Sequence, residues 1–338
     1  MSPAGAAAAH TVGAVAIGRN EGDRLKACLG ALLAAPEIGR VVYVDSGSTD
    51  GSADWAAGRG AEVVALDLDR PFTAARARNA GIERLRTGGA APDLVQLVDG
   101  DCVLAPGWMA AALAAMAARP RAAVVCGRRR ERFPEASVYN RMCDLEWDTP
   151  VGEARACGGD ALMRMDALAE AGGFDASLIA GEEPDLCLRL RRAGWEVHRI
   201  DAEMTLHDAA MNRLGQFWAR ARRAGHAYAE GAARHGAGPE RHWVAETRRA
   251  LAWGAALPAA VLAGAAAFGP WALAGLAAYP AQVARLALRD PAPGPGGRRF
   301  AWTRAGLLTL SKFAEAQGAA GYHLSRWRGR RAGLIEYK

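Results

Sequence analysis

The 338-residue chain has room for one large or two moderate domains and for a substantial buried core. Its net charge of +6 comes from arginine, and the basicity is concentrated in the second half, which suits anionic lipid head groups or nucleotide phosphates. No basic block is interleaved with aromatics, so nucleic acid is not an expected partner. The six cysteines are scattered without paired metal-ligand spacing and read as reduced, buried thiols rather than a disulfide framework.

Residues 1–10 are Ala-rich, with neither a basic start nor a long apolar core, and read as a loose tail rather than a signal peptide. From there the chain alternates. Residues 11–17 form an apolar strand pattern, and 23–35 a helix with Leu25, Cys28, Leu29, Leu32 and Leu33 on one side. Residues 41–44 and 62–66 are further strands, with a short helix after Asp50 between them. A helix over 72–86 then leads to the strand 94–98. This order predicts an α/β domain whose mostly parallel sheet is covered by helices on both faces. Ligands of such sheets sit beyond the carboxyl ends of the strands.

The polar clusters fall at those ends. Arg19-Asn20-Glu21 follows the first strand, Asp45-Ser46-Gly47-Ser48-Thr49-Asp50 the second, and Asp99-Gly100-Asp101 the fourth. Two carboxylates around a flexible glycine can turn toward one point, where a cation relieves their repulsion. Hard oxygen ligands suit Mg²⁺ or Mn²⁺ and leave positions for a substrate phosphate. Asp45 can accept hydrogen bonds from a base or ribose, and Ser46 opens a tight turn with exposed N–H groups. Asp50 either caps the following helix or touches ligand. Arg76, Arg78 and Asn79 either face a phosphate or base, or are ordinary exposed helix positions.

Taken together, Arg19-Asn20-Glu21, VDSGSTDGS (44–52), ARARNAG (75–81), VDGDC (98–102), AGGFD (171–175) and GEEPDLCLR (181–189) resemble the family 2 glycosyltransferases. The likeness covers roughly residues 11–225. It implies a GT-A fold, a doubly wound mixed sheet, and an inverting transferase that uses a nucleotide-diphosphate sugar and Mn²⁺ or Mg²⁺. By position, Asn20, Glu21, Asp45, Ser46, Arg78, Asn79, Asp99 and Gly100 would line the nucleotide sugar, with Asp45 on the base and Asp99 at the ribose or diphosphate. Asp101 would ligate the metal, and His207 matches a late histidine that many relatives supply as a further ligand. Gly159 and Asp160 would line the sugar and acceptor.

The family places its general base in a Glu-Asp pair. Here the pair is Glu182-Glu183, so Glu183 takes the base position, with Glu182 as the alternative. Asp185 and Arg189, four apart, read as a structural ion pair. Gln216 falls where processive synthases carry Gln-x-x-Arg-Trp, a motif absent here in its strict form; transfer of a single sugar is therefore expected.

The last third changes character. Residues 251–268 and 271–288 are almost free of charge, and Arg248, Arg249, Arg289, Arg298 and Arg299 flank them. Two segments close to the ~20 residues of a membrane crossing, with basic flanks, suggest a helical hairpin whose two ends share the cytoplasmic side, or one lying in the interface. Expected organisation is thus a domain over 11–225, a connector over 226–249, an apolar hairpin over 250–289, a Pro/Gly linker over 290–300 and a basic amphipathic helix over 301–338. The expected acceptor is a lipid-linked saccharide or envelope glycan precursor. The rival readings are a metal-dependent nucleotidyltransferase, for which residues 19–22 make a poor phosphate loop, and a non-catalytic membrane scaffold.

Overall fold

The computed structural model describes residues 10–291, 296–329 and 333. The loose tail, the middle of the Pro/Gly linker and most of the last nine residues lie outside the described residues. The chain divides into two units. One runs to Phe133 and includes Cys143–Leu178 and Glu182–Ala209; the other comprises Pro134–Met142, Ile179–Gly181 and the chain from Ala210.

The first unit is built on a nine-stranded mixed sheet. In chain order its elements are β1 (Val12–Gly18), α1 (Asp23–Ala34), β2 (Ile38–Asp45), α2 (Ser52–Gly58), β3 (Glu62–Ala65), α3 (Ala74–Thr87), β4 (Leu94–Asp99), β5 (Cys102–Leu104), α4 (Trp108–Ala118) and β6 (Ala122–Glu131). There follow α5 (Val138–Glu146), which reaches into both units, then β7 (Gly152–Glu153), β8 (Ala161–Arg164), α6 (Met165–Glu170), α7 (Glu182–Arg192) and β9 (Glu196–His207). Strands β1 and β4 are apolar runs buried on both faces, as central parallel strands must be. Helix α1 turns Leu25, Cys28, Leu29 and Leu32 into the core, while Leu33, expected beside them, is exposed. Helix α3 starts at Ala74 rather than 72, because the Thr73 hydroxyl accepts the Arg76 N–H at 3.1 Å and caps it.

The strand order is β3-β2-β1-β4-β8-β6-β9-β5, with β7 beside β9. The first four run parallel; β8 is antiparallel to both neighbours, and β6 and β9 are parallel again. Register gathers the polar clusters. Gly18 pairs with Asp45, and Ile17 with Asp99, so the ends of β1, β2 and β4 stop together. Leu97 pairs with Ala161, which sets Asp160 beside the end of β4. His207 pairs with Cys102 on one side and Glu131 on the other, bringing the end of β9 to Asp101.

The second unit is helical: α8 (Leu214–His235), α9 (Val244–Leu251), a π-turn over Ala252–Ala256, α10 (Leu257–Phe268), a 3₁₀ stretch over Pro270–Ala277, α11 (Ala278–Arg289) and α12 (Gly297–Trp327). Helices α8 and α12 meet at Gly318, where an added Cβ would lie 1.9 Å from the Arg222 carbonyl. Gln216 accepts the N–H groups of Asn212 and Arg213 and so caps α8. From Val244 to Phe268 the helix is continuous, with mean hydropathy 1.7 and only 6% of its most apolar window buried. The second apolar segment departs from expectation. Pro280 has no N–H to reach back to Leu276, and the chain before it is wound as 3₁₀, so 271–288 is not one α-helix.

Candidate active site

Five charged side chains form an alternating chain beside the end of β4. Arg78 Nη1 donates to Glu182 Oε1 at 2.8 Å, and its Nη2 donates to Asp99 Oδ1 at 2.7 Å. Arg129 reaches Asp99 Oδ2 at 3.2 Å and Asp160 Oδ2 at 2.8 Å. Asp160 is fully buried; its Oδ1 accepts the Asp99 N–H at 2.9 Å, and its Oδ2 accepts the Thr205 hydroxyl at 2.6 Å. Burial works against the charge of Asp99, but Arg78 and then Arg129 outweigh it and hold the carboxyl well below its usual range. Burial likewise opposes the charge of Arg78, and Asp99 and Glu182 keep it above its ordinary value. The loop before β8 presses on this network: a Cβ at Gly159 would lie 2.3 Å from Asp99 Oδ2, so only glycine fits there.

Next to it lies a sparser pair. His207 Nε2 is 3.3 Å from Asp101 Oδ2, and both residues are buried. Trp147 packs edge-on against the imidazole at 4.7 Å. The other ring nitrogen, Nδ1, has no hydrogen-bond partner among the described residues; Glu131 Oε2 stands 3.7 Å from it. Asp101, Cys102 and His207 each bring a ligand atom within 4.8 Å of the others. A carboxylate and an imidazole suit Mn²⁺ better than the Cys102 thiol does, and the two together leave coordination positions for oxygens of a diphosphate. The donor set therefore fits a hard divalent cation on Asp101 and His207, with the Glu131 carboxylate 3.7 Å behind the imidazole.

Glu182 and Glu183 open α7 side by side. Glu182 turns to Arg78. Glu183 enters a different pocket, where its Oε1 accepts the Cys157 N–H at 2.5 Å and the Cys187 thiol at 3.2 Å. Burial pushes the Glu183 carboxyl above its ordinary value of 4.5, although the Cys157 N–H and the two thiols pull the other way. The Cys157 thiol is itself pushed well up, by its hydrogen bond with Cys187 and by burial.

Several of the expected ligand-binding residues hold loops in place. Asn79 donates to the Phe174 carbonyl at 2.7 Å and accepts the Phe174 N–H at 2.9 Å, clamping the AGGFD turn. Asp160, expected to line the sugar, is enclosed with both oxygens engaged. Asn20 donates its N–H to Ser48 and accepts the Thr49 N–H at 2.7 Å, tying the loop after β1 to the loop after β2. Asp50 does both halves of its work in those loops, accepting the Gly22 and Ser52 N–H groups at 3.0 Å. Asp45 accepts the Tyr43 hydroxyl and the Gly47 and Ser48 N–H groups, while the Ser46 N–H bonds to Gly18. Glu21 pairs with Arg24 at 2.8 Å, and the Gly100 N–H bonds to the Ile17 carbonyl. Asp185 and Arg189 do form the structural ion pair, at 2.8 Å.

Arg129, Thr205, Glu131 and Cys187 escaped the reading of the sequence. Only the placement of Arg129 had a signal, a cationic run continuing an apolar strand.

Two solved structures share this architecture. The mannosyltransferase PcManGT from Pyrobaculum calidifontis, solved with GDP-Man and Mn²⁺, matches with a TM-score of 0.63 at 22% identity, over 92% of this chain and 87% of its own. GalNAc-T7, solved with UDP, GalNAc and Mn²⁺, matches with a TM-score of 0.51 at 12% identity, over 74% of this chain and 52% of its own. At such identities the likeness is one of fold. No curated protein matches the chain in sequence. Residues 15–168, however, match the profile of glycosyl transferase family 2. The matched stretch, just under half of the chain, holds the ends of β1, β2 and β4, so this region carries the glycosyl transferase family 2 profile within a GT-A fold.

Proposed function

We propose that the chain transfers one sugar, with inversion, from a nucleotide-diphosphate sugar to a hydroxyl acceptor. The observation that carries this reading is the contrast within the Glu182-Glu183 pair. Glu182 is paired with the Arg78 guanidinium, whereas Glu183 is held by a backbone N–H and a thiol in a buried pocket. Its burial makes it a stronger base than an exposed carboxylate. The acceptor hydroxyl gives its proton to the Glu183 carboxylate as its oxygen bonds to the anomeric carbon. On the opposite face the bond from that carbon to the diphosphate oxygen breaks, and the diphosphate leaves with the electron pair. A divalent cation on Asp101 and His207, Mn²⁺ or Mg²⁺, would stabilise the charge gathering on that leaving group. That both solved relatives carry Mn²⁺, one with GDP-Man and the other with UDP and GalNAc, supports the donor class and the ion.

The donor-side roles follow from position. Asp45, Ser46 and the loops tied by Asn20 and Glu21 present the base and ribose side of the donor. Asp99, with Gly100 at its back, stands at the diphosphate side, kept in place by Arg78. Gly159 leaves space next to Asp99. Asp160 and Asn79 act as supports rather than as ligands of the sugar.

The acceptor belongs with a lipid phase in this reading. The continuous apolar helix 244–268, with Phe268 at its end 85% exposed and Trp271 just beyond it 87% exposed, supports membrane association. Arg248, Arg249, Arg289, Arg298 and Arg299 favour the cytoplasmic leaflet. The acceptor is then a lipid-linked saccharide or a comparable envelope glycan precursor.

A panel of nucleotide-diphosphate sugars, incubated with purified protein, Mn²⁺ and a lipid-linked saccharide, tests the reading. One donor should be consumed with a product of inverted anomeric configuration by NMR. Retention of configuration, or release of pyrophosphate from a nucleoside triphosphate and a sugar phosphate, would contradict it.

A further inference from the structure

Helix α7 places Glu183 and Cys187 four residues apart on one face, and the loop before β8 brings Cys157 to the same spot. The two sulfurs lie 3.7 Å apart, and Cys187 Sγ lies 3.2 Å from Glu183 Oε1. All three residues are buried, and one ligand atom from each falls within 4.8 Å of the others. These spacings match a tetrahedral ion. Zn–S bonds of about 2.3 Å at the tetrahedral angle put two sulfurs about 3.8 Å apart, and Zn–O of about 2.0 Å puts sulfur and oxygen about 3.5 Å apart.

We propose that Cys157, Cys187 and Glu183 form a binding site for a thiophilic divalent cation of the Zn²⁺ class, distinct from the Asp101–His207 pair, and that its occupancy stops transfer. Two thiolates and one carboxylate select soft or borderline ions and reject Mn²⁺ and Mg²⁺, whereas Asp101 and His207 accept the harder ions. The protein thus sorts ions between neighbouring sites by donor chemistry. The three protein donors leave a fourth position for water. The cation takes Glu183 as a ligand and draws charge from its carboxylate, which becomes too weak a base for the acceptor's proton. This inhibitory consequence, unlike the binding itself, rests on Glu183 being the base.

The test uses the full-length protein in detergent, stripped of divalent ions and titrated with Co²⁺ in the presence of excess Mn²⁺. Sulfur-to-cobalt charge-transfer absorption should grow to one equivalent. It should persist in Cys102→Ser, which alters the thiol of the other cluster, and vanish in Cys157→Ser and Cys187→Ser. Cys157→Ala and Cys187→Ala, with circular dichroism matching the parent, give a second pair should the serine variants fail to fold. Competing Zn²⁺ should bind the Cys187 variants more weakly by more than the about 10–100-fold that loss of an outer-shell partner costs. Zn²⁺ should also inhibit transfer at saturating Mn²⁺, and a chelator should reverse it. Absence of the sulfur band, or its survival in both the Cys157 and Cys187 variants, would overturn the proposal. A full sulfur band with Zn²⁺ bound and transfer unimpaired would leave the site standing and overturn the role of Glu183 as base.

Discussion

The two sides of helix α7 are built differently although Glu182 and Glu183 are adjacent in sequence. On the Glu182 side every charge is answered: two guanidiniums alternate with three carboxylates from Glu182 through Asp99 to Asp160. On the Glu183 side a single carboxylate sits among thiols, with one oxygen held and burial raising its affinity for a proton. A network of alternating charges fixes geometry and makes its cation-paired carboxylates weak bases. The sparse pocket is where a proton can move. Asp101 and His207 stand 3.3 Å apart and supply a carboxylate and an imidazole as donors for a cation.

The largest effect expected from breaking this arrangement is at Asp101. Asp101→Ala should lower transfer by about 10³-fold or more, because the leaving diphosphate loses its cation. Its unfolding temperature should stay near that of the parent. Near-normal rates in that variant, or in the parent with excess EDTA, would break the metal half of the comparison.

On the paired side the damage should fall on stability. Arg78→Met strands Asp99 and Glu182 without their common cation and should cost about 3–5 kcal/mol, read by denaturant unfolding. An unchanged midpoint would mean that the network contributes nothing. Asn79→Ala is a smaller version of the same test. Losing both hydrogen bonds to Phe174 should cost about 1–3 kcal/mol while the donor KM moves little. A large rise in KM with unchanged stability would restore Asn79 to the donor site.

The mildest probe is pH. With Glu183 as the proposed base, transfer needs it ionised, and burial raises its carboxyl above 4.5, so the acid limb of kcat should lie above that value. The same raised carboxyl costs stability as the pH climbs from 4.5 through its folded value, since ionisation is what burial penalises. An acid limb at or below 4.5 would place the base in a solvated or cation-paired setting.

Much of this was legible in the sequence. The apolar runs of β1, β2 and β4, each followed by a polar cluster, identify the sheet and the edge where the site lies, because buried parallel strands and their terminal turns are both local signals. What was not legible depends on register and on direction of approach. Arg128, Arg129 and Arg130 are equivalent in sequence, yet strand alternation sends Arg129 alone to Asp99 and Asp160, while Arg128 turns to Asp144. Asn79 sits in a motif that resembles a ligand-binding one, and only the fold reveals Phe174 against it. Cys157 and Cys187 are thirty residues apart with no metal-binding spacing, and the fold alone makes them neighbours.

The claim that the roles divide between the neighbouring glutamates is tested most directly by measuring single-turnover rates of Glu183→Gln and Glu182→Gln with saturating donor and Mn²⁺. Glu183→Gln should slow the chemical step by about 10²–10⁴-fold with donor binding unchanged, and Glu182→Gln by less than about tenfold. A Glu182→Gln rate as low as that of Glu183→Gln, or a Glu183→Gln rate near the parent's, would contradict it.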